Sequence, residues 1–377
     1  MPPTPDNDRQ ALASLEAPQW RAAMDKELAA IKLQGTWEEA PGYRGRTVKS
    51  KWAWRCSREP DGEIKFRARI VARGFSQRPG VDFFESFAPT VSTKGLFALL
   101  HTAATLDLEI NSLDVSSAYL EADAPNLVYM QLPSTELDAA GRPITVRLLK
   151  TLYGLRESGY EWNKKLDGIL VSGGFTRCQS EPCIYWKREA DGRVTFAAVH
   201  VDDIIYAAST KELLDRMKTL VASCVKAIRV TEDVKKFVGL ELTRDRAART
   251  ITVTQSQYIT DMVESEGLSH SRSFATPAAV DVNLLTAPKG EDANQRSLVG
   301  KARYATDRSH PETLYGMSVL ASTQGAPGPI HVAAAKRMIS YLGGVRDQGV
   351  VLGGPGPIAL EAWSTPATSR KERPAPS

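Results

Sequence analysis

The sequence predicts an α+β fold with antiparallel strands, because it carries two hairpin signals and a set of amphipathic helices. Asp61-Gly62 and Asp191-Gly192 each separate two strand-like runs, and both pairs tolerate the positive φ angles that tight hairpin turns require. Apolar residues recur at helical spacing between and after these hairpins. A chain of 377 residues can bury a sizeable core, and its length suggests about two domains.

Composition narrows the class of protein without identifying a partner. Hydrophobic residues make up 42% and charged residues 24%, which is typical of a globular protein. The net charge of +4 is too small to identify a nucleic-acid partner. The 4 cysteines show no CxxC pair and no matched His spacing, so neither a zinc site nor a disulfide framework is indicated. With no long apolar run and no signal peptide, we expect a soluble, unsecreted protein in a reducing compartment.

The N-terminal part is expected to form a basic ribbon of two strands. A disordered leader over residues 1–18 precedes a helix at Gln19–Leu33. Strands at Lys51–Cys56 and Ile64–Ala72 flank the first hairpin turn. Lys and Arg greatly outnumber Asp and Glu between residues 44 and 78, which indicates a phosphate-binding surface.

The remaining elements alternate between helices and short strands. The middle of the chain predicts a buried helix over Leu96–Leu106, a strand at Glu109–Val115, a helix from near Arg156 to Gly173-Gly174, strands at Cys183–Arg188 and Val194–Val201, and a strand at Ile204–Ala207. The later part predicts a capping box at Ser209 and Glu212, strands at Phe237–Leu242 and Ile251–Thr254, a helix at Gln257–Glu266, a domain boundary near Thr286–Asn294, a helix at Ile330–Leu342 and an unstructured tail over 343–377.

Three aspartates are the candidates for metal-dependent chemistry. Asp202-Asp203 lies between two apolar strands, where a tight turn can present both carboxylates at one edge of a sheet. An Asp-Asp pair alone is most simply an exposed turn, since about one is expected by chance in a chain of this length. Asp114 ends another predicted strand, and phosphoryl transfer by two divalent cations needs carboxylates from separate strands.

At these residues the sequence resembles the reverse transcriptases of copia-type retrotransposons, from about Trp20 to Leu342. The matching segments occur in the family's order: Trp20 to Met24, Glu27, Thr36-Trp37, Phe66 to Gln77, Gly80-Val81-Asp82, Phe87-Ala88-Pro89, Asp114 to Leu120, Leu152 to Leu155, Trp162 and Val201-Asp202-Asp203. Gly300, Tyr304, His331, Ala334 to Arg337 and Tyr341-Leu342 resemble the connecting region that precedes ribonuclease H.

The resemblance implies a right-hand polymerase with fingers, palm and thumb over residues 19–285 and a connection region over 295–342. It implies an RNA-directed DNA polymerase that uses an RNA or DNA template with a primer, deoxynucleoside triphosphates and Mg²⁺ or Mn²⁺, in cytoplasmic particles and without a membrane. The implied roles are metal ligation and catalysis for Asp114, Asp202 and Asp203, triphosphate contact for Arg67 and Arg69, a steric gate against the 2′-hydroxyl for Tyr119, and template or primer contact for Lys51 and Arg73. The alternatives are a core aromatic role for Tyr119 and ordinary surface charge for the basic residues.

Departures from the family pattern leave a second function open. Glu157 stands where the family usually has Gln, at a position expected to lie close to the nucleotide, and His200 stands where Tyr is common. After Leu360 to Ser364 the sequence does not continue into the first acidic motif of ribonuclease H. The alternative is therefore a decayed polymerase fragment that only binds nucleic acid or a partner. A metal-dependent phosphohydrolase is a third hypothesis, but it explains none of the ordered non-acidic motifs.

Overall fold

A computed structural model describes residues 2–58, 62–279, 282–290 and 294–358. The helices are α1 (Asp8–Ala13), α2 (Ala17–Gln34), α3 (Thr93–Thr105), α4 (Ser158–Ser172), α5 (Lys211–Ala222), α6 (Ser256–Ser265), α7 (Asn294–Thr306), α8 (Leu314–Ser322) and α9 (Pro329–Val345). The strands are β1 (Trp37–Glu39), β2 (Val48–Arg58), β3 (Ile64–Ala72), β4 (Glu109–Val115), β5 (Tyr129–Gln131), β6 (Thr145–Leu148), β7 (Thr176–Arg177), β8 (Ile184–Arg188), β9 (Val194–His200), β10 (Asp203–Ala208), β11 (Ile228–Glu232), β12 (Lys236–Phe237), β13 (Leu240–Asp245), β14 (Thr250–Thr254) and β15 (Val350–Gly353).

These strands form three sheets, so the structure has the α+β class that the sequence predicts. The N-terminal sheet has the order β1-β6-β5-β2-β3, the central sheet β11-β4-β10-β9-β8-β7, and the C-terminal sheet β12-β13-β14-β15. Neighbouring strands pair antiparallel except for β2 and β5. In the part of the chain that the structure describes, no helix is long and apolar enough to cross a membrane.

The central sheet is held in place by helices whose apolar stripes are buried against it. In α5, residues 213, 214, 217 and 221 are buried at helical spacing, and they share one core with Leu100 of α3 and Trp162 of α4. Each large apolar side chain that is removed from water contributes about 1.5–3 kcal/mol. This core therefore provides a rigid support for the strands that carry the candidate aspartates.

The N-terminal sheet has one apolar and one basic face. Alternate residues of β2 and β3 are buried, and Trp20 of α2 packs on the rings of Trp54 and Phe66 at centroid distances of 5.4 and 4.7 Å. The opposite face of β3 carries Lys65, Arg67 and Arg69, all exposed. The basic ribbon that the sequence predicts is thus confirmed, although residues 59–61 of its turn lie outside the described residues.

The end of β3 meets the segment before α4 where two glycines allow close backbone approach. The Ala72 amide donates to the Tyr153 carbonyl at 2.8 Å, and the Gly74 amide donates to the Gly154 carbonyl at 3.1 Å. Gly154 has a φ of 90°, and a Cβ there would collide with the carbonyl oxygen of Ala72. This junction sets the position of the basic face relative to the central sheet.

The C-terminal part corrects several sequence predictions. The residues expected to form one strand over Phe237–Leu242 are split between β12 and β13, because Val238 and Gly239 have φ angles of 42° and 78° and form a turn. The predicted tail is not wholly unstructured, since β15 pairs with β14. A single core runs from Ile259 of α6 to Leu342 of α9, so it crosses the boundary predicted at Thr286–Asn294. Residues 291–293 and 359–377, including Leu360 to Ser364, lie outside the described residues.

The predicted disordered leader and the predicted cap of α5 also differ from the structure. The expected leader over 1–18 contains α1, whose Ala11 is fully buried in the N-terminal core. Helix α5 is capped by Thr210, whose Oγ1 accepts from the Leu213 amide at 3.4 Å, and not by Ser209. Ser209 Oγ instead accepts from the Val194 amide, because it closes the β9–β10 ladder.

The sequence does not predict the short strands β1, β5, β6 and β11 or the helices α7 and α8. Their apolar runs are too brief or too irregular to show a period.

Candidate active site

Two antiparallel strands bring Asp114 and Asp203 side by side. Asp203 of β10 lies directly opposite Asp114 of β4 in the ladder. Paired residues of antiparallel strands point to the same face with Cβ atoms about 4.5–5.5 Å apart. Asp202 precedes Asp203 in the β9–β10 turn, and its carbonyl accepts from the Val115 amide at 3.0 Å. The structure therefore brings together the three aspartates that the sequence singles out.

The turn that carries Asp202 is strained and is fixed by a hydrogen bond from α4. Val201 has a φ of 62°, which is an unfavourable region for a β-branched residue. The Val201 carbonyl accepts from the indole Nε1 of Trp162 at 2.8 Å. Since Trp162 is buried in α4, this hydrogen bond fixes the turn relative to the core.

The aspartates affect one another electrostatically. Burial, together with the charges of Asp202 and Asp114, raises the pKa of Asp203 to about 6. Burial also raises the pKa of Asp202, and Asp114 adds to that effect while Arg69 opposes it. Crowded carboxylates of this kind are stabilised in their charged form by a cation.

The donor atoms fit a hard divalent cation in chemical type. Carboxylate oxygens suit Mg²⁺ and Mn²⁺, and Mg²⁺ commonly binds through one or two carboxylates while keeping several water ligands. Within residues 2–58, 62–279, 282–290 and 294–358, however, no group of three or more His, Cys, Asp or Glu side chains is arranged so that it could hold a metal ion by itself. The fit therefore rests on donor type and strand register.

One cleft of about 740 Å³ is lined both by the aspartates and by the basic face of β3. Its lining includes Asp114, Asp202 and Asp203 together with Lys65, Arg67 and Arg69. The expected juxtaposition of Arg67 and Arg69 with the aspartates is thus present. The lining also includes residues to which the sequence gave no role, namely Lys26, Tyr153, Arg229 and Lys236. For Arg229 no sequence signal was available, since its place opposite Asp114 depends on the register of β11.

Tyr119 lies beside the cleft within a group of aromatic rings. Its ring meets that of Tyr153 edge to face at a centroid distance of 5.2 Å. The guanidinium of Arg69 stacks 4.6 Å from the centroid of the Tyr153 ring. Burial, with a contribution from the charge of Asp202, raises the pKa of the Tyr119 phenol. Tyr119 thus lies within electrostatic reach of Asp202, and its role as a steric gate stays a prediction.

Glu157 is not among the residues that line the cleft, and its predicted place near the nucleotide stays a prediction. Its side chain is buried at the start of α4, and its two carboxylate oxygens accept from Nε2 of Gln77 at 3.2 and 2.9 Å. Gln77 Oε1 in turn accepts from the Arg156 amide at 2.8 Å. Burial raises the pKa of Glu157. This side chain ties the segment after β3 to α4 and does not line the cleft.

Lys51 and Arg73 also lie away from the aspartates. Both line a separate cavity of about 470 Å³, together with residues 6–9 and 131–134. Asp6 and Asp8 are part of that lining, so its charge is mixed. The structure gives Lys51 and Arg73 no direct place in the cleft, and their contact with template or primer remains a prediction.

His200 lies beside Asp203 in the central sheet. It pairs with Asp203 across the β9–β10 hairpin, and burial, with the nearby charge of Arg308, lowers the pKa of its imidazole. Arg308 itself stacks 4.6 Å from the Tyr304 ring centroid and donates to the Val238 carbonyl at 3.1 Å. The segment that follows α7 is thereby joined to the β12–β13 turn, whose Val238 and Gly239 line the cleft.

Comparison with known proteins finds a matching family model and several similar sequences. Residues 39–280 match the family model described as reverse transcriptase (RNA-dependent DNA polymerase). The chain is 28% identical to the retrovirus-related Pol polyprotein from transposon TNT 1-94 of Nicotiana tabacum over 94% of this chain and 27% of that protein. It is 28% identical to the corresponding polyprotein from transposon RE2 of Arabidopsis thaliana over 94% of this chain and 24% of that protein. The chain thus spans about a quarter of the length of these relatives.

Two further matches extend the comparison. A putative transposon Ty5-1 protein of Saccharomyces cerevisiae is 25% identical over 61% of this chain and 75% of that protein. A solved foamy viral protease-reverse transcriptase in complex with double-stranded DNA matches 86% of this chain and 48% of that chain, with 12% identity and a TM-score of 0.47. Since the family model covers more than half of the 377 residues, the chain belongs to the reverse transcriptase (RNA-dependent DNA polymerase) family, as its resemblance to the copia-type enzymes predicted.

Proposed function

We propose that the chain catalyses template-directed DNA synthesis on an RNA or DNA template, with a primer, deoxynucleoside triphosphates and Mg²⁺ or Mn²⁺. The observation that carries the proposal is the pairing of Asp203 with Asp114 in a cleft that Arg67 and Arg69 also line. The match of residues 39–280 to the family model also supports the proposal, because a chance cluster of surface charges would not occur within such a match. We propose the cytoplasm as its location.

The residues in and beside the cleft have three different roles in this proposal. Asp114, Asp202 and Asp203 would hold the cations, which when bound activate the primer 3′-hydroxyl and neutralise charge on the leaving pyrophosphate. Arg67 and Arg69 supply guanidinium groups that pair with phosphate oxygens. Tyr119, held against Tyr153, limits the space beside the sugar and so disfavours a 2′-hydroxyl.

Primer extension on a homopolymer RNA template with Mg²⁺ or Mn²⁺ tests the proposal. Asp202→Asn and Asp203→Asn should each abolish extension, because both remove a carboxylate from the cleft. Glu264→Gln is the matched control, since Glu264 is an exposed carboxylate on α6 and its loss should leave extension unchanged. Extension that survives in the Asp variants would contradict the proposal.

Assays of primer-template binding and of nucleotide hydrolysis distinguish the two alternatives. A protein that binds primer-template but does not extend it is the decayed polymerase that only binds nucleic acid. Metal-dependent hydrolysis of nucleoside triphosphates without a template would instead indicate a phosphohydrolase.

A further inference from the structure

The C-terminal part of the chain contains a second large cavity. It has a volume of about 820 Å³ and is lined by the segments 274–279 and 282–285 together with residues of α8 and α9. Among the described residues, none lines both this cavity and the cleft of the three aspartates. Small-molecule sites in proteins are typically cavities of about 300–1,000 Å³. The cavity therefore has the size of a ligand site that is separate from the cleft.

Most side chains that line this cavity are apolar. They include Phe274, Leu284 and Met338, and two others remain largely in contact with water. Leu285 is 67% exposed and Tyr315 is 83% exposed. Apolar surface gathered around a concave site favours a ligand with an apolar body, because its binding removes that surface from water.

Arg337 of α9 is the only charged side chain among the described residues that line this cavity. It is half-buried, and its guanidinium lies 4.2 Å from the centroid of the Phe274 ring. Its Nη2 donates a hydrogen bond to Oγ1 of Thr276 at 3.0 Å. These two contacts fix the guanidinium beside the cavity, but both partners are neutral.

The positive charge of Arg337 has no acidic partner in the described part of the chain. No carboxylate there forms an ion pair with it. Its Nε is buried and has no hydrogen-bond partner among the same residues. Charged groups that leave water are normally paired and fully hydrogen-bonded. An oriented, unpaired guanidinium in an apolar lining is therefore complementary to an anion.

We propose that this cavity binds a small amphipathic carboxylate, whose apolar body contacts Phe274 and Met338 and whose carboxylate pairs with Arg337. A guanidinium matches the two oxygens of a carboxylate, and that pair is stronger where water is excluded. Because the described lining has a single positive charge, it matches a monoanion. The proposal goes beyond the polymerase function and does not depend on it.

The test is calorimetric titration of the full chain with decanoate, a monoanion with an apolar chain, and with decanol, which has the same chain and no charge. Decanoate should bind saturably at one site per chain and more tightly than decanol. Arg337→Met should weaken decanoate binding about tenfold or more, because it removes a charged hydrogen-bond partner. Decanol binding should change little, which shows that the cavity of the variant is intact.

Three further variants separate the site from general effects. Lys336→Met removes the same charge from an exposed neighbour on α9 that does not line the cavity, and it should leave decanoate binding unchanged. Arg337→Lys keeps the charge and should weaken binding less than Arg337→Met does. Ala334→Phe places a ring in the cavity and should weaken the binding of both ligands. Thermal unfolding of each variant shows whether it is folded.

Four results would overturn the proposal. These are no saturable binding of decanoate to the folded wild-type chain, equal affinity for decanoate and decanol, an equal loss of decanoate binding in Lys336→Met and Arg337→Met, and decanoate binding that survives in folded Ala334→Phe. If light scattering shows a dimer to which decanoate does not bind, a second copy of the chain covers this surface and the proposed ligand is wrong.

Discussion

At the scale of single residues, the crowding of carboxylates implies that the cleft lowers the stability of the protein in the absence of a cation. Burial and the charges of Asp202 and Asp114 raise the pKa of Asp203 from 3.8 to about 6. A carboxyl whose pKa is higher in the folded state binds its proton more tightly in the folded state than in the unfolded state. The free energy of unfolding therefore falls as the pH rises from the ordinary pKa to the raised pKa. The cost is absent in acid and complete above about pH 6.

Asp203→Asn should therefore be more stable than the wild-type chain at neutral pH while losing primer extension. We expect a gain in unfolding free energy of about 1–2 kcal/mol after allowing for solvent screening, and no gain near pH 4. Urea denaturation at both pH values, without divalent metal, measures it. Equal stability of the two proteins at neutral pH would show that Asp203 is not crowded by its neighbours.

A second residue-scale prediction concerns Glu157, which is buried against Gln77. Glu157→Ala should lower the free energy of unfolding by about 1–3 kcal/mol, because the Gln77 amide then loses its acceptor inside the protein. Glu157→Gln keeps an acceptor oxygen and should cost less. Neither substitution should change the nucleotide KM by more than about twofold, since Glu157 does not line the cleft. A large change in KM for Glu157→Gln would instead support the position near the nucleotide that the sequence analysis expected.

At the scale of elements, the junction between the segment after β3 and the segment before α4 decides how the basic face meets the aspartates. Gly154→Ala places a Cβ against the Ala72 carbonyl at a φ of 90°. We expect it to destabilise the protein by about 1–3 kcal/mol and to lower extension, because the backbone must shift where β3 meets the segment before α4. Chemical denaturation and extension assays report these two effects.

The control lies in α4. A Cβ on Gly168 meets nothing within 4 Å, and this glycine is exposed in the helix. Gly168→Ala should therefore stabilise the protein by up to about 1 kcal/mol through helix propensity. If both substitutions had the same effect, the junction would not be the determining feature.

At the scale of the whole molecule, β15 joins distant parts of the chain. It pairs with β14, and the Gly353 amide donates to Nδ1 of His101 on α3 at 3.0 Å. Gly353 has a φ of 97°, and a Cβ there would collide with the Arg249 carbonyl. We expect Gly353→Ala to lower the unfolding free energy by about 1–3 kcal/mol and to speed hydrogen exchange in β14.

Gly356→Ala is the matched control, since a Cβ at that position has nothing within 4 Å. It should leave both stability and exchange unchanged. Exchange in β14 that is the same in Gly353→Ala and the wild-type chain would show that β15 does not hold the C-terminal sheet.

The sequence by itself determined the elements whose pattern is local. Strand β4 has the predicted limits, the hairpins around Asp202-Asp203 and in the basic ribbon are present, and α2, α4 and α9 lie within a few residues of their predictions. Periodicity and turn chemistry act over a few residues and can be read directly. The ordered motifs likewise identified the family and placed three aspartates together, because their strands are buried and leave one register that covers the apolar face.

Only the tertiary structure decided which side chains reach the cleft. Tyr153 and Lys26 line it, whereas Glu157 is turned inward to Gln77 and Lys51 and Arg73 border another cavity. Likewise, the return of β15 to β14 and the split of Phe237–Leu242 at Val238-Gly239 depend on contacts with distant residues. The physical reason is that the direction of a side chain and the pairing of a strand depend on residues far away in the chain. Such long-range contacts produce no periodic pattern in the local sequence.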